Sequence, residues 1–494
     1  MLNSIKKMLD AFEENHIVYC HWKSNEHLEP ALMGDTDLDV LFLPEQRSEL
    51  DRVLNICGLK RFRATPLMQY NGIEDYIGFD KDTAKIWHLH THYRMTFGEK
   101  HLKGYTVTPW GYELLENRVW NELGIYTTCP EDELMLLLTR NAMKLRWRDN
   151  GHKIGSDDIA EQNWLLERIN REKMQKQITH YLSEQSAEEV MRLTAVNLTQ
   201  KNQLKYYQKL LRKELKPFTG YSCGGSWWMR TKREFYWLFG AVVRHAGLDT
   251  NKPGRRVSPS GGCAVAFLGC DGAGKSTTIQ YVKKEFGKKL DVKNVYLGSG
   301  DGSSSLLRKP MKLVAQKVGG KGLGHAVEKE YAESATGKKK VSLKSRLYSI
   351  AKVIWADTLA NEKKKKLKQI TKARNNGMLV LIDRYPQTEI AGYSDGPLLT
   401  KYLKNGHGFL YRKAKKELAI YQMAYTNPPD LTLKLMVPTE VAIARKPEMT
   451  AEEIDNKKAA VMKMNPSVNS AVIDTSVEIT KSLGEVMNEI WKII

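Results

Sequence analysis

Residues 264–280 read AVAFLGCDGAGKSTTIQ. The small and apolar residues at the start predict a buried parallel strand, and the stretch from Lys275 onward predicts a helix. Between them, Gly269-Cys270-Asp271-Gly272-Ala273-Gly274-Lys275-Ser276 has the spacing of a phosphate-binding loop. Glycines let backbone N–H groups turn inward around a phosphate, and the positive end of the following helix points at the same place. Gly269, Gly272, Ala273, Gly274, Lys275, Ser276 and Thr277 are therefore the expected nucleotide contacts. Lys275 would reach the β- and γ-phosphates of ATP, and the Ser276 hydroxyl would ligate Mg²⁺.

Downstream, strand and helix patterns alternate. A strand at Asn294–Leu297 ends in Gly298-Ser299-Gly300-Asp301-Gly302, and a basic segment runs through Lys338–Lys340, a helix near Ser342–Ala360, and Lys363–Lys366. Met378–Ile382 is an apolar strand followed by Asp383-Arg384-Tyr385; Pro429-Asp430 precedes the strand Leu431–Val437, and a helix carrying Arg445-Lys446 follows. Val472–Thr475 reads as a last strand before a C-terminal helix. Such alternation behind a phosphate loop implies an α/β fold with a doubly wound parallel sheet.

This half of the chain resembles the thymidylate kinase branch of the nucleoside monophosphate kinases, through the DGAGKST loop, Asp-Arg-Tyr, the PDLT strand and the arginine after TEVAIA. The resemblance implies an ATP- and Mg²⁺-dependent phosphotransferase. In it Asp383 would orient Mg²⁺ or the attacking oxygen, Arg384 would clamp the phosphoryl group in flight, and Asp271 would accept a hydrogen bond from the acceptor. Arg445, with Lys446 and either Lys457 or Lys458, would belong to a lid that closes over ATP. The acceptor motifs depart from the family. Gly298–Gly302 stands where thymidylate kinases carry Arg-Glu-Pro-Gly-Gly, and Thr358 stands where an arginine would hold the acceptor phosphate. Gly392–Leu399 reads as an acceptor-side loop for an anionic or hydroxyl-bearing acceptor, and Arg412, Lys413, Lys415 and Lys416 on the next helix read either as a solvated face or as contacts for an anionic acceptor.

Toward the N-terminus, Gly34-Asp35-Thr36-Asp37-Leu38-Asp39 turns on its glycine and enters a strand, so Asp37 and Asp39 share one face. Two carboxylates on one face repel unless a cation lies between them. The pattern resembles the polymerase-β-type nucleotidyltransferases, in which such a pair holds Mg²⁺. It departs from them in carrying Trp22-Lys23-Ser24-Asn25 without the upstream glycine. It also offers His88 and His90, on a strand paired with Tyr76–Asp80, where a third acid would stand.

Residues 130–250 read as helical and largely basic, with Arg146 and Arg148 after the first helix. Trp227, Trp228, Phe235, Tyr236, Trp237 and Phe239 interleave with Arg230, Lys232, Arg233 and Arg244, a pattern that suits packing on a neighbouring domain, an anionic membrane surface, or a sugar or base. The expected division is a nucleotidyltransferase-like α+β domain at 1–128, a helical connecting region at 129–250, a linker at 251–262 and a thymidylate-kinase-like P-loop domain at 263–494.

The chain has 494 residues and a net charge of +20, which ATP alone does not require, so a second anionic partner is expected; nucleic acid and an anionic membrane both fit the charge. Six scattered cysteines without metal spacing, and no leader-like or membrane-spanning run, point to a cytoplasmic protein, at most peripheral to a membrane. The leading reading is a kinase acting on a sugar, glycan or lipid-linked glycan of surface-polysaccharide production. The alternatives are a thymidylate-type kinase, a nucleotide-gated binding protein on nucleic acid or membrane, and a bifunctional enzyme whose N-terminal domain transfers nucleotides.

Overall fold

Leu38, Val40 and Phe42 alternate with Asp39 and Leu41, and Trp87 and Leu89 alternate with His88, His90 and His92. In extended strands this gives a sheet one fully apolar face and one mixed face. The computed structural model describes residues 1–146, 155–196, 201–245, 251–298, 343–390 and 395–494. The chain divides into two compact units, Met1–Asp249 and Thr250–Ile494.

The first unit opens with α1 (Asn3–Glu14), β1 (Tyr19–His21), the short α2 (Leu28–Leu32), β2 (Leu38–Phe42), α3 (Arg47–Ile56) and β3 (Lys60–Ala64). The hairpin of β4 (Ile73–Asp80) and β5 (Lys85–His92) follows, then β6 (Met95–Phe97), β7 (Tyr105–Val107), α4 (Thr108–Glu116), β8 (Val119–Asn121) and β9 (Ile125–Thr127). Its main sheet runs β3-β4-β5-β2-β1-β9-β8. β2 lies parallel to β5 with Asp39 opposite His90, and β4 lies antiparallel to β5 with Asp75 opposite His90. The apolar face, Leu38, Val40, Phe42, Trp87 and Leu89, is buried with Ile5, Met8 and Phe12 of α1 and Leu50, Val53 and Leu54 of α3.

Five further helices complete this unit's layers: α5 (Pro130–Lys144), α6 (Ser156–Leu166), α7 (Arg171–Ile178), α8 (Glu184–Leu193) and α9 (Lys201–Glu214), before the long α10 (Cys223–His245). They are not a separate connecting region. Cys20, Trp22 and Leu41 from the sheet share one core with Leu134, Leu137 and Leu138 of α5, Leu165 of α6, Met174 of α7, Val190 of α8 and Leu211 of α9. The acids in the first turn of α5 are buried, and Glu133 reaches the turn that follows β1. Glu133 accepts the Asn25 backbone N–H at 2.8 Å and its side-chain amide at 2.7 Å.

In the second unit, residues 251–262 are fastened down rather than free. The Gly254 and Arg255 amides donate to the Asp291 carboxylate at 3.0 and 2.8 Å. The unit contains β10 (Cys263–Leu268), α11 (Lys275–Gly287), β11 (Val292–Tyr296), α12 (Leu343–Asn375), β12 (Leu379–Asp383), α13 (Gly408–Thr426), β13 (Leu431–Met436), α14 (Thr439–Arg445), α15 (Ala451–Lys463), β14 (Ser470–Asp474) and α16 (Ile479–Ile493). The sheet is parallel throughout, in the order β11-β12-β10-β13-β14. Ala264, Ala266, Val380 and Ile382 bury against Leu367 and Ile370 of α12 and Val461 of α15, while Val265 and Phe267 are buried on the opposite face. α12 runs past the expected Ala360 and absorbs Lys363–Lys366 into one helix. Arg148, Arg244 as a side chain, Ser299–Gly302, Lys338–Lys340 and residues 392–394 lie outside the described residues.

The β4–β5 hairpin depends on Gly78, which faces Trp87 across the strands. A Cβ there would lie 2.3 Å from the buried indole. Gly78→Ala should destabilise the first unit by about 1–3 kcal/mol through overpacking, read as a lower urea midpoint; an unchanged midpoint would contradict this packing.

Candidate functional site

β10 delivers the chain to the phosphate loop, and α11 leaves it at Lys275. Gly272 has φ +82°, and a Cβ there would lie 2.9 Å from the Ala442 carbonyl, so the loop and α14 can approach this closely only through glycine. The loop is braced from outside. Arg445 donates to the Gly272 carbonyl at 3.0 Å and to the Thr475 carbonyl at 3.1 Å. The guanidinium expected in a lid therefore supports the loop's backbone in this conformation.

Lys275 is buried and donates to the Gly269 and Cys270 carbonyls at 2.9 and 2.8 Å. Burial, reinforced by nearby Arg384, lowers its pKa to about 8 against the opposing pull of Asp271 and Asp383. Asp271 joins three parts of the site. Its carboxylate accepts from Arg384 at 2.9 Å and from Lys457 of α15 at 2.7 Å. Burial alone would raise its pKa, but Arg384 and Lys457 hold it far below the ordinary carboxylate range. Lys458 instead donates to Thr439.

Arg384 follows β12 in the left-handed region at φ +67°, a strained conformation for a side-chain-bearing residue. Its side chain is bonded to Asp271 and faces Asp395 at 3.6 Å. Gly298 makes room for it, since a Cβ there would lie 2.6 Å from the Arg384 Cδ. Burial raises the Asp383 pKa, against Lys275 and Arg384. Its Oδ1 is buried without a hydrogen-bond partner among the described residues. A carboxylate oxygen so placed, beside a loop whose Ser276 is exposed, fits a hydrated Mg²⁺.

Asp357 accepts from Lys413 at 3.0 Å and Lys416 at 3.1 Å, so two of the four basic residues on α13 are already paired. Thr358 donates to the Ile354 carbonyl within its own helix. Glu417 receives the Leu398 and Leu399 amides at 2.9 and 2.8 Å, tying the end of the acceptor loop to α13. Lys363 is buried and reaches the Tyr421 hydroxyl at 3.0 Å.

In the first unit Asp37 and Asp39 do share a face, and the histidines of β5 stand beside them. His88 Nδ1 lies 3.0 Å from Asp37, His90 Nδ1 lies 3.3 Å from Asp39, and His92 Nε2 lies 3.1 Å from Asp39. Lys23 pairs with the other Asp39 oxygen at 3.0 Å. Burial opposes the Asp39 charge, but Lys23, His90 and His92 hold its pKa well below the usual range. Burial also works against a charged His90, but Asp39 and Asp75 outweigh it and raise its pKa; burial takes His92 down to about 4.

A third carboxylate that sequence reasoning missed is Asp75 on β4, 3.0 Å from His90 Nε2. It sits across His90 from Asp39 rather than joining the aspartate pair. Imidazoles and a lysine crowd this pair, which does not fit the all-oxygen cage Mg²⁺ prefers.

Helix α10 leaves Trp227, Trp228, Phe235, Leu238 and Phe239 more than half exposed. Arg230 and Arg233 turn inward, Arg230 to Glu99 and Arg233 to the Gln69 carbonyl, so they do not fringe the aromatic face. No helix among the described residues is long and apolar enough to cross a membrane.

No family model matches the chain. It is similar to an uncharacterized ATP-binding protein, YghR of Escherichia coli K12, with 28% identity over 203 residues, 40% of this chain and 75% of the relative. It is also similar to the uncharacterized ATP-binding protein YghS of the same strain, with 26% identity over 196 residues, 40% of this chain and 78% of the relative. Among solved structures, thymidylate kinase from Candida albicans has 14% identity, covering 47% of this chain and 91% of that one, with a TM-score of 0.26. Deoxyadenosine kinase from M. mycoides with bound dATP has 17% identity, covering 46% and 98%, with a TM-score of 0.25.

Because the folded-state pKa of Asp271 is depressed, its contribution to stability is complete above the ordinary aspartate pKa near 4 and is lost as pH falls further. Asp271→Asn should cost about 1–3 kcal/mol at pH 7 and flatten the acid limb of the stability profile. Urea midpoints from pH 7 to pH 3.5 that matched wild type would show that the Arg384–Asp271–Lys457 link carries no stability.

Proposed function

We propose that the second unit binds ATP with Mg²⁺ and transfers the γ-phosphoryl group to an acceptor outside the nucleoside monophosphates. The relatives named as ATP-binding proteins support ATP as the nucleotide. The observation that carries the reading is the convergence of Lys275, Arg384, Asp271 and Asp383 on one phosphate loop.

In this proposal the loop amides and Lys275 hold the triphosphate, with Lys275 exchanging the Gly269 and Cys270 carbonyls for phosphate oxygens. Arg384 leaves Asp271 for the γ-phosphoryl group and spreads its charge in the transition state. That exchange frees one Asp271 oxygen to orient the acceptor hydroxyl. The acceptor oxygen attacks phosphorus and gives its proton to the freed Asp271 carboxylate, which passes it to solvent; the bond from phosphorus to the β-phosphate bridging oxygen breaks, and ADP leaves. Ser276 and Asp383 would hold Mg²⁺, directly or through water, where it neutralises charge on the phosphates.

For the acceptor we propose a hydroxyl of a sugar, glycan or lipid-linked glycan. Thr358 in place of a phosphate-holding arginine, and the pairing of Lys413 and Lys416 with Asp357, argue against a nucleotide monophosphate there. We read the first unit as nucleotidyltransferase-like in fold, on its Asp-x-Asp strand beside a parallel neighbour. Six cysteines with no disulfide among the described residues support a reducing, cytoplasmic setting.

ATP turnover by wild type should rise with a sugar or glycan in a panel that also contains nucleoside monophosphates. Lys275→Ala and Asp383→Ala should each lower the stimulated rate at least about a hundredfold. Stimulation by dTMP alone would replace this acceptor with a thymidylate-type one, and tight ATP binding with no stimulated turnover by any acceptor would favour a nucleotide-gated binding protein.

A further inference from the structure

The register of three strands lines up an alternating row of acids and imidazoles on one sheet face. β5 places His88 and His90 two residues apart on that face, β2 brings Asp37 and Asp39 to one side of them, and β4 brings Asp75 to the other. Asp75 Oδ1 receives both rings from behind, at 2.9 Å from His88 Nε2 and 3.0 Å from His90 Nε2. An ionised carboxylate only accepts hydrogen bonds, so each Nε2 carries its proton there. The Nδ1 atoms of both rings consequently face the aspartate pair, His88 at 3.0 Å from Asp37 and His90 at 3.3 Å from Asp39 and 4.0 Å from Asp37.

That arrangement aims two ring nitrogens at a pair of carboxylates, with the two rings only 4.1 Å apart. A cation between them relieves the repulsion, and the donor atoms of Asp37, His88 and His90 already lie within 4.8 Å of one another. A carboxylate gripping the far nitrogen of a ligating histidine is the usual outer support of a metal site, because it fixes the tautomer and the ring's direction. Two imidazole nitrogens with carboxylate oxygens suit a borderline transition-metal ion better than Mg²⁺.

We propose that the first unit holds one divalent transition-metal ion of the Zn²⁺ and Co²⁺ class between His88 Nδ1, His90 Nδ1 and the carboxylates of Asp37 and Asp39, with Asp75 orienting both rings. Lys23 pairs with the other oxygen of Asp39, while Oδ1 faces His90 Nδ1 at 3.3 Å and His92 Nε2 at 3.1 Å, so the ion would share Oδ1 with His92. All of its ligands belong to the first unit.

The test is Co²⁺ titration of the full chain, nucleotide-free, with Cys57→Ser and Cys223→Ser removing the thiols that are not buried. Visible d–d bands report coordination, and Zn²⁺ competition gives its affinity. The expected result is saturation at a single equivalent that millimolar Mg²⁺ does not displace, and loss of the bands in His88→Ala and His90→Ala. Asp75→Asn, which keeps the side chain's shape, should weaken Co²⁺ about tenfold to a hundredfold, while Lys275→Ala binds it as wild type does. Circular dichroism melts establish that each variant is folded, and if the histidine variants are not, Asp75→Asn decides. Unchanged Co²⁺ affinity in folded His90→Ala or Asp75→Asn, or displacement by equimolar Mg²⁺, would overturn the proposal.

Discussion

The two-sided ion pair of Asp271 holds the second unit's site together. One carboxylate, inside the phosphate loop, receives Arg384 from the end of β12 and Lys457 from α15. Without it three cations, Lys275, Arg384 and Lys457, would be opposed only by Asp383 and, at Arg384, by Asp395. The lowered pKa of Lys275 registers that crowding, since burial and then Arg384 disfavour its charge. A bound triphosphate would supply the missing anion, so the same residues that strain the nucleotide-free loop favour the occupied one. The left-handed backbone at Arg384 belongs to this arrangement, because it aims the side chain back at the loop.

The first unit presents the opposite imbalance. There, carboxylates and imidazoles face one another across adjacent strands, and Lys23 satisfies only one oxygen of Asp39. In the proposals above one site takes an anion and the other a cation. Lys103, lowered to about 8 by burial and the nearby Lys23, adds a positive rim to the acidic cluster.

The phosphate loop, the strand ending in Asp383 and the parallel sheet were legible because each is carried by residues adjacent in sequence. Asp75 was legible in principle and was missed. Pairing Asp80 with Lys85 across the hairpin places Asp75 opposite His90 by counting back along both strands. The union of α5–α9 with the sheet could not be read, because it rests on Trp22 and Leu41 meeting Leu134 and Leu138 across about a hundred residues of chain. Arg445 shows the same limit. Its place after TEVAIA suggested a lid, but only the approach of α14 to the loop reveals that its donors fall on the Gly272 and Thr475 carbonyls.

The central claim is that a nucleotide triphosphate completes the charge balance around the loop. A crystal structure of the protein with Mg²⁺ and a non-hydrolysable ATP analogue addresses it most directly. The account predicts the triphosphate within Gly269–Thr277, Lys275 moved from the Gly269 and Cys270 carbonyls to phosphate oxygens, and the Asp383 Oδ1 taken up by the metal or its water. A nucleotide bound elsewhere, or a loop that keeps Lys275 on its own carbonyls with the analogue present, would contradict it.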